Sequence, residues 1–203
     1  LSFNFYTAPL QLVHSDLWGP APVTSLNGFN YYVSFIDDYN KFTWLFPLKL
    51  KSIVSNFLPF IAYVEKLLNH FIKVLRTDGR CEFNSTQFNS LISSKGIHHK
   101  LSCPHTPHQN GIAERKHKDV VEIGLSLLFR AYVLLTLWSF AFSTTSFLIN
   151  RLPTKRLAFQ SIYEPFFGTS PDYSTVKVFG CSCYPYLRPC NDYKLQPRST
   201  KCI

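Results

Sequence analysis

Residues 71–83 read FIKVLRTDGRCEF, and residues 101–117 read LSCPHTPHQNGIAERKH. The first stretch opens on an apolar run, Phe71 to Leu75, that predicts a buried strand running out into a carboxylate, Asp78. The second closes on Glu114, in the first turns of a predicted long helix. Between Asp78 and Glu114 lie 35 residues. Upstream, Leu10 to Pro20 (LQLVHSDLWGP) predicts another strand, over Leu10–Leu17, carrying a third carboxylate, Asp16. Acids at the ends of two strands and on a neighbouring helix can converge on one point. That arrangement suits a pair of Mg²⁺ ions doing phosphodiester chemistry.

Working outward, the chain before Asp78 predicts an antiparallel meander. Asn27-Gly28 is a turn signal ahead of Phe29–Ile36, rich in aromatic and β-branched residues. Asp37-Asp38-Tyr39-Asn40 makes the next turn, and Phe42–Leu48 the third strand. Asp37 and Asp38 are metal-ligand types, but acids in a hairpin turn are more often turn formers. Lys51–Leu68 carries apolar residues at helical spacing, with Pro59 inside it, which predicts a kink or a break. After Asp78 come a predicted helix near Ser85–Ser94, a short strand Ile97–Leu101 and a Pro104/Pro107 loop. A helix then runs from Gly111 to about Arg130 with Asn110 as its N-cap. Alternating helix and strand after a meander indicate an α/β fold, a mixed sheet covered by helices.

Ala131–Asn150 contains no charged residue, yet seven of its 20 residues are Ser, Thr or Asn. Its bulky groups recur at helical spacing, so a core-facing helix is expected, not a membrane span. Pro153, Pro165, Gly168 and Pro171 mark a connector with at most one short helix, and Val176–Leu187 alternates as β structure. The expected organisation is a lead-in over 1–9, a core over 10–152, a connector over 153–172 and a further β segment over 173–203.

Composition narrows the partners. The chain carries 21 Lys+Arg against 12 Asp+Glu, a net charge of +9. That excess favours a polyanion, nucleic acid first. With 46% hydrophobic and 16% aromatic residues, the chain has the composition of a folded globule and not of a disordered tail. The 203 residues lack Met and read as an internal piece of a longer product, and no leader supports secretion. Six cysteines without a CxxC pair fit reduced thiols in an intracellular protein. Cys103, His105 and His108 suggest zinc, but no fourth ligand stands at a standard spacing, so a plain loop is the better reading. Each acid also has an ordinary explanation: Glu114 suits a helix first turn and can pair with Lys118, and Asp16 and Asp78 can simply end strands.

LVHSDLWGP, NGFNYYVSFIDDYNKFTWLFPLK, KVLRTDG, LSCPHTPHQNGIAERKH, FLINRLPT and KVFGCSCYPYLRPCNDYKLQPRST together resemble the integrase of copia-type LTR retrotransposons of plants, over nearly the whole chain. The resemblance implies an RNase H-like five-stranded core with helices on its faces and a truncated SH3-like segment after it. It also implies a polyprotein origin and a catalytic Asp16, Asp78, Glu114 triad that binds two Mg²⁺ or Mn²⁺ ions. The implied activity is metal-dependent DNA 3′-end processing and strand transfer. Its partners would be double-stranded element ends and target DNA, with a homo-oligomer, no membrane, and action in the nucleus. Gln109, Asn110, Arg115, Lys116 and Lys118 flank the triad and are the expected nucleic-acid contacts. Asp78-Gly79-Arg80-Cys81-Glu82 departs from the family's Gly-rich DxGGE pattern, and Pro59 and Pro165 replace helix formers. The family's HHCC zinc module precedes the residues seen here. These departures predict an impaired copy; the rival reading is a relic that folds and binds nucleic acid without catalysis. An RNase H-type nuclease shares the fold, but a final Glu on a helix argues against it.

Overall fold

The computed structural model describes residues 6–79, 82–102, 107–154, 157, 159–187, 193 and 195–202, with residues 107–110 described by backbone alone. Five strands form one sheet in the order β3-β2-β1-β4-β5. They are β1 (Leu12–Trp18), β2 (Tyr31–Asp37), β3 (Thr43–Leu48), β4 (Val74–Thr77) and β5 (His98–Leu101). The first three pair antiparallel as the meander predicts. The short β2–β3 connection, residues 38–42, allows nothing else for that pair. β4 and β5 run parallel to β1 because helices α1 (Val54–Leu68) and α2 (Thr86–Ser94) carry the chain back. The mixed sheet flanked by helices is the fold class the sequence indicates.

Alternation along each strand sorts the side chains into two cores. Val13 and Leu17 of β1, Val33 and Phe35 of β2 and Trp44 and Leu48 of β3 face the buried side of α1 and α2. Phe35 stacks on Phe60 of α1 at 4.1 Å between ring centroids, and Phe57 lies against Phe88 of α2. On the other face Trp18, Tyr32 and Leu45 meet α3 (Pro107–Ala131) and α4 (Trp138–Arg151) through Val120, Leu128, Trp138 and Phe142. Burying each such aromatic or aliphatic side chain contributes roughly 1.5–3 kcal/mol.

Several boundaries differ from expectation. α1 runs through Pro59 unbroken; the missing N–H takes a bond from the carbonyl of Ser55, which is exposed. β4 begins at Val74, and Phe71 is 77% exposed, because register with Leu12 starts only there. α3 begins at Pro107, so Asn110 is inside the helix and is not its N-cap; proline is suited to a first helical position by its fixed φ. The uncharged run begins on Ala131, the last residue of α3, breaks where Tyr132 takes φ 54°, and is helical again from Leu135, as a 3-10 turn and then α4. Among the described residues no helix is long and apolar enough to cross a membrane.

The segment after α4 holds the short α5 (Tyr163–Phe167), with Pro165 in its first turn, where no intrahelical donor is needed. Phe166 stacks on Phe42 at 4.2 Å, so this segment contributes to the core. Beyond it, the described residues form a 3-10 turn (Tyr173–Thr175) and two isolated antiparallel bridges, Cys183 with Cys202 and Tyr186 with Ser199. No strand is assigned among them.

Candidate nucleic-acid-processing site

Asp16, within β1, and Asp78, just past the end of β4, are neighbours at the sheet. The last register pair of the parallel β1–β4 ladder is Ser15 with Thr77, and each aspartate is the next residue along the chain. Adjacent strands lie about 4.8 Å apart, so both carboxyls belong to one patch. Asp16 shares its face with His14 and Trp18, the face on which α3 packs. The Asp16 carboxylate is buried and accepts the Leu17 N–H at 2.9 Å. Asp78 is half-buried, just past the end of β4.

Glu114 rides on α3 and is exposed. One turn further on, His117 Nδ1 is hydrogen-bonded to Tyr32 Oη at 2.7 Å. Tyr32 is fully buried. Burial first, and then the negative charge of Asp16, push its phenol far up and keep it protonated. Trp18 stacks on Tyr32 at 5.2 Å, and Trp138 and Phe142 pack edge-on against Trp18. This aromatic floor fixes where α3 crosses β1 and β2, and therefore the side of the sheet on which Glu114 stands.

Asp16 and Asp78 thus stand beside each other below the helix that carries Glu114. Among the described residues no group of three His, Cys, Asp or Glu side chains is placed to hold a metal ion. The donor set itself, all carboxylate oxygen, suits Mg²⁺ or Mn²⁺. Mutual repulsion of three acids opposes their closure without a cation.

Other expected residues divide. Lys118 is exposed and lies 3.7 Å from Glu122, not on Glu114. Arg115 donates from Nε to the Gly111 carbonyl at 2.9 Å and, with Lys116, faces Lys41. The side chains of Gln109 and Asn110 lie outside the described residues, as do Arg80, Cys81 and the Cys103/His105/His108 cluster. Glu82 is ion-paired with Lys51. Asp37 and Asp38 serve the turn: Asp37 accepts the Leu10 and Asn40 N–H groups, and Asp38 joins His14 and Lys41. Sequence reading passed over His14 and Tyr32. The β1 alternation that puts His14 on the Asp16 face was readable, whereas no local pattern signals the pairing of Tyr32 with His117 across 85 residues.

A three-strand meander, two parallel strands and helices on both faces make the fold of an integrase catalytic core. The chain is similar in structure to a simian T-cell lymphotropic virus intasome solved in complex with PP2A regulatory subunit B56 gamma (TM-score 0.63, 15% identity, 94% of this chain and 66% of that one). It is also similar to the HTLV-2 integrase catalytic core domain in complex with magnesium in a trimeric form (TM-score 0.57, 14% identity, 77% and 95%). In sequence it is 45% identical over 195 residues to the Retrovirus-related Pol polyprotein from transposon RE2 of Arabidopsis thaliana, covering 96% of this chain and 13% of the relative. The counterpart from transposon RE1 of the same plant is 44% identical over 200 residues, at 97% and 13% coverage. That from transposon TNT 1-94 of Nicotiana tabacum is 37% identical over 195 residues, at 96% and 15%. No protein-family model matches. The chain belongs with the Pol polyproteins of plant retrotransposons, as a segment with the integrase-core fold, and spans 13–15% of the length of these relatives.

Proposed function

We propose that this segment is the catalytic core of a retrotransposon integrase, which processes 3′ ends of element DNA and joins them to target DNA. The observation that carries the reading is the emergence of Asp16 and Asp78 from adjacent parallel strands on the face crossed by α3, the helix of Glu114. These three residues would hold the cation. When bound there, Mg²⁺ or Mn²⁺ supplies Lewis acidity for a water or 3′-hydroxyl nucleophile and for the leaving oxygen. The chain's own residues orient and exclude. The Leu17 N–H holds the Asp16 carboxylate, the Tyr32–His117 bond anchors α3 below Glu114, and the Trp18 floor keeps water from the underside. Lys118, one turn along α3 from Glu114, is suited to a substrate phosphate. Assembly of several copies, action in the nucleus and an SH3-like continuation after residue 172 belong to the same reading.

The test is strand transfer with labelled DNA ends in Mn²⁺. Asp16→Asn, Asp78→Asn and Glu114→Gln should each abolish joining while the fold melts normally; joining retained in any one of them would remove that residue from the triad. The impaired-copy reading rests on Arg80-Cys81 after Asp78, where the family has glycines. A side chain forced into a glycine conformation costs about 1–3 kcal/mol. Arg80→Gly with Cys81→Gly should therefore raise joining with little change in melting temperature. Equal rates before and after would refute impairment.

A further inference from the structure

Arg115 and Lys116 do not share the Glu114 face of α3. With Ile112 and Asp119 they make the adjacent stripe, at i, i+3, i+4 and i+7, and that stripe lines a cleft of about 280 Å³ closed by Lys41 of the β2–β3 turn. Lys118 borders it too. A second cleft of about 570 Å³ continues past Lys41 and Lys116, between Tyr39 and Asn40 on one side and Thr154 and Pro165 on the other. Since both clefts contain Lys41 and Lys116, they form one groove. Among the described residues its walls carry four cations, Lys41, Arg115, Lys116 and Lys118, and the acid Asp119. Lys41 is set in place: its φ is 64°, and Nζ is 2.7 Å from the Asp38 carboxylate, which is itself tied to buried His14 at 3.1 Å. Asp38 offsets part of that charge. Tyr39, 50% exposed at one end, offers a ring face of the kind on which a base stacks.

We propose that this groove is a second polynucleotide track, which takes the phosphodiester backbone of a DNA strand lying outside the Asp16–Asp78–Glu114 face. The inference rests on the chain being a DNA-joining core, and it gives α3 two working faces. Glu114 and His117 stand on the side of the strand ends, and Arg115 and Lys116 on the side of the β2–β3 turn. Such a groove reads no sequence; it positions, through phosphate charge.

The experiment is anisotropy of the 203-residue chain with a labelled duplex that lacks element ends, across a salt series. Lys41→Ala with Lys116→Ala should reduce the salt slope by about 2, at about 0.9 per phosphate contact, equally for unrelated sequences. Lys100→Ala on β5 should leave the slope unchanged. Asp119→Asn should tighten binding, and it decides the question if the double variant does not fold. A wild-type slope in the folded double variant, or unchanged affinity in Asp119→Asn, overturns the groove. So does a double variant that loses binding to poly-glutamate but keeps DNA, which would assign the groove to an acidic protein partner. If neither the double variant nor Lys118→Ala lowers the slope while the chain still binds DNA, the groove fails and the integrase reading stands. A chain that binds no DNA at all overturns both.

Discussion

Asp37 and Asp38 are neighbours in sequence with opposite surroundings. Burial pushes the Asp37 carboxyl up, against the lowering effect of the Asn40 and Leu10 N–H groups it accepts. Asp37→Ala would leave those two donors unmatched in the interior. Chemical denaturation should show a loss of about 1–3 kcal/mol for each donor stranded. For Asp38, burial also pushes upward, but hydrogen bonds and charge from His14 and Lys41 outweigh it and hold the carboxyl at about 2. Because that value lies below the ordinary 3.8 of an Asp carboxyl, the group stabilises the fold above pH 4, and this contribution is lost as pH falls through about 2. Asp38→Asn should therefore flatten the acid limb of a stability–pH curve between about pH 4 and pH 2. Parallel curves for the two proteins would show that the pairing contributes nothing. At the site, Tyr32→Phe removes one hydrogen bond and keeps the ring stack. It should cost about 0.5–1.5 kcal/mol of stability, while joining per folded molecule falls further, because Glu114 is held one turn from His117.

At the scale of elements, two helices carry residues that propensity alone would forbid. Gly124 sits within α3 because an added Cβ would drive into the Phe142 ring of α4. Gly124→Ala, a favourable change in an isolated helix, should here lower the melting temperature. Pro59 has no comparable contact to excuse it, and Ser55 can offer its carbonyl to water. Pro59→Lys should raise the melting temperature by several degrees with activity per folded molecule unchanged, since a helix-interior proline costs up to about 3 kcal/mol. An unchanged melting temperature would mean that solvation already satisfies that carbonyl. These elements were largely legible in the sequence. The 3.6-residue spacing in Val54–Leu68 and the turn residues at Asn27-Gly28 and 37–40 are local signals, and local signals survive without tertiary context. The start of α3 was misread because Asn110 is a good cap in isolation, while Pro107, three residues earlier, is a better first residue. Phe71 misled for the opposite reason. It is apolar yet lies before the ladder begins, and only pairing with β1 decides that.

For the whole molecule, the meander and the mixed character of the sheet could be read from turn spacing and from the alternation of helix and strand that follows. Lys41 could not: it joins α3 only through the meander's return, 74 residues before Arg115 in the chain. Nor could the packing of Phe166 on Phe42, which draws an expected connector into the core. If the carboxylates close only around a cation, then Mg²⁺ or Mn²⁺ should raise the melting temperature of the unmodified chain, and removal by EDTA should reverse it. The triple change Asp16→Asn, Asp78→Asn, Glu114→Gln should abolish that response and raise the metal-free melting temperature by relieving repulsion. An identical cation response in the triple variant would move the binding elsewhere.

The hydrogen bonds of Asn150 at the margin of the sheet have a consequence for the protein's fate at high concentration. Its side-chain amide takes both backbone groups of Thr43, donating to the carbonyl at 2.8 Å and accepting the N–H at 2.9 Å, and Ser146 adds a third bond to that carbonyl. Pro47, further along β3, has no N–H to offer. The opposite margin is only four residues long and bears His98 and Lys100. Neither border is a template on which another chain's strand can grow, so cross-β aggregation has no ready seed in the folded state. Copies that come together are left to meet through helices and loops, an association that can be reversed.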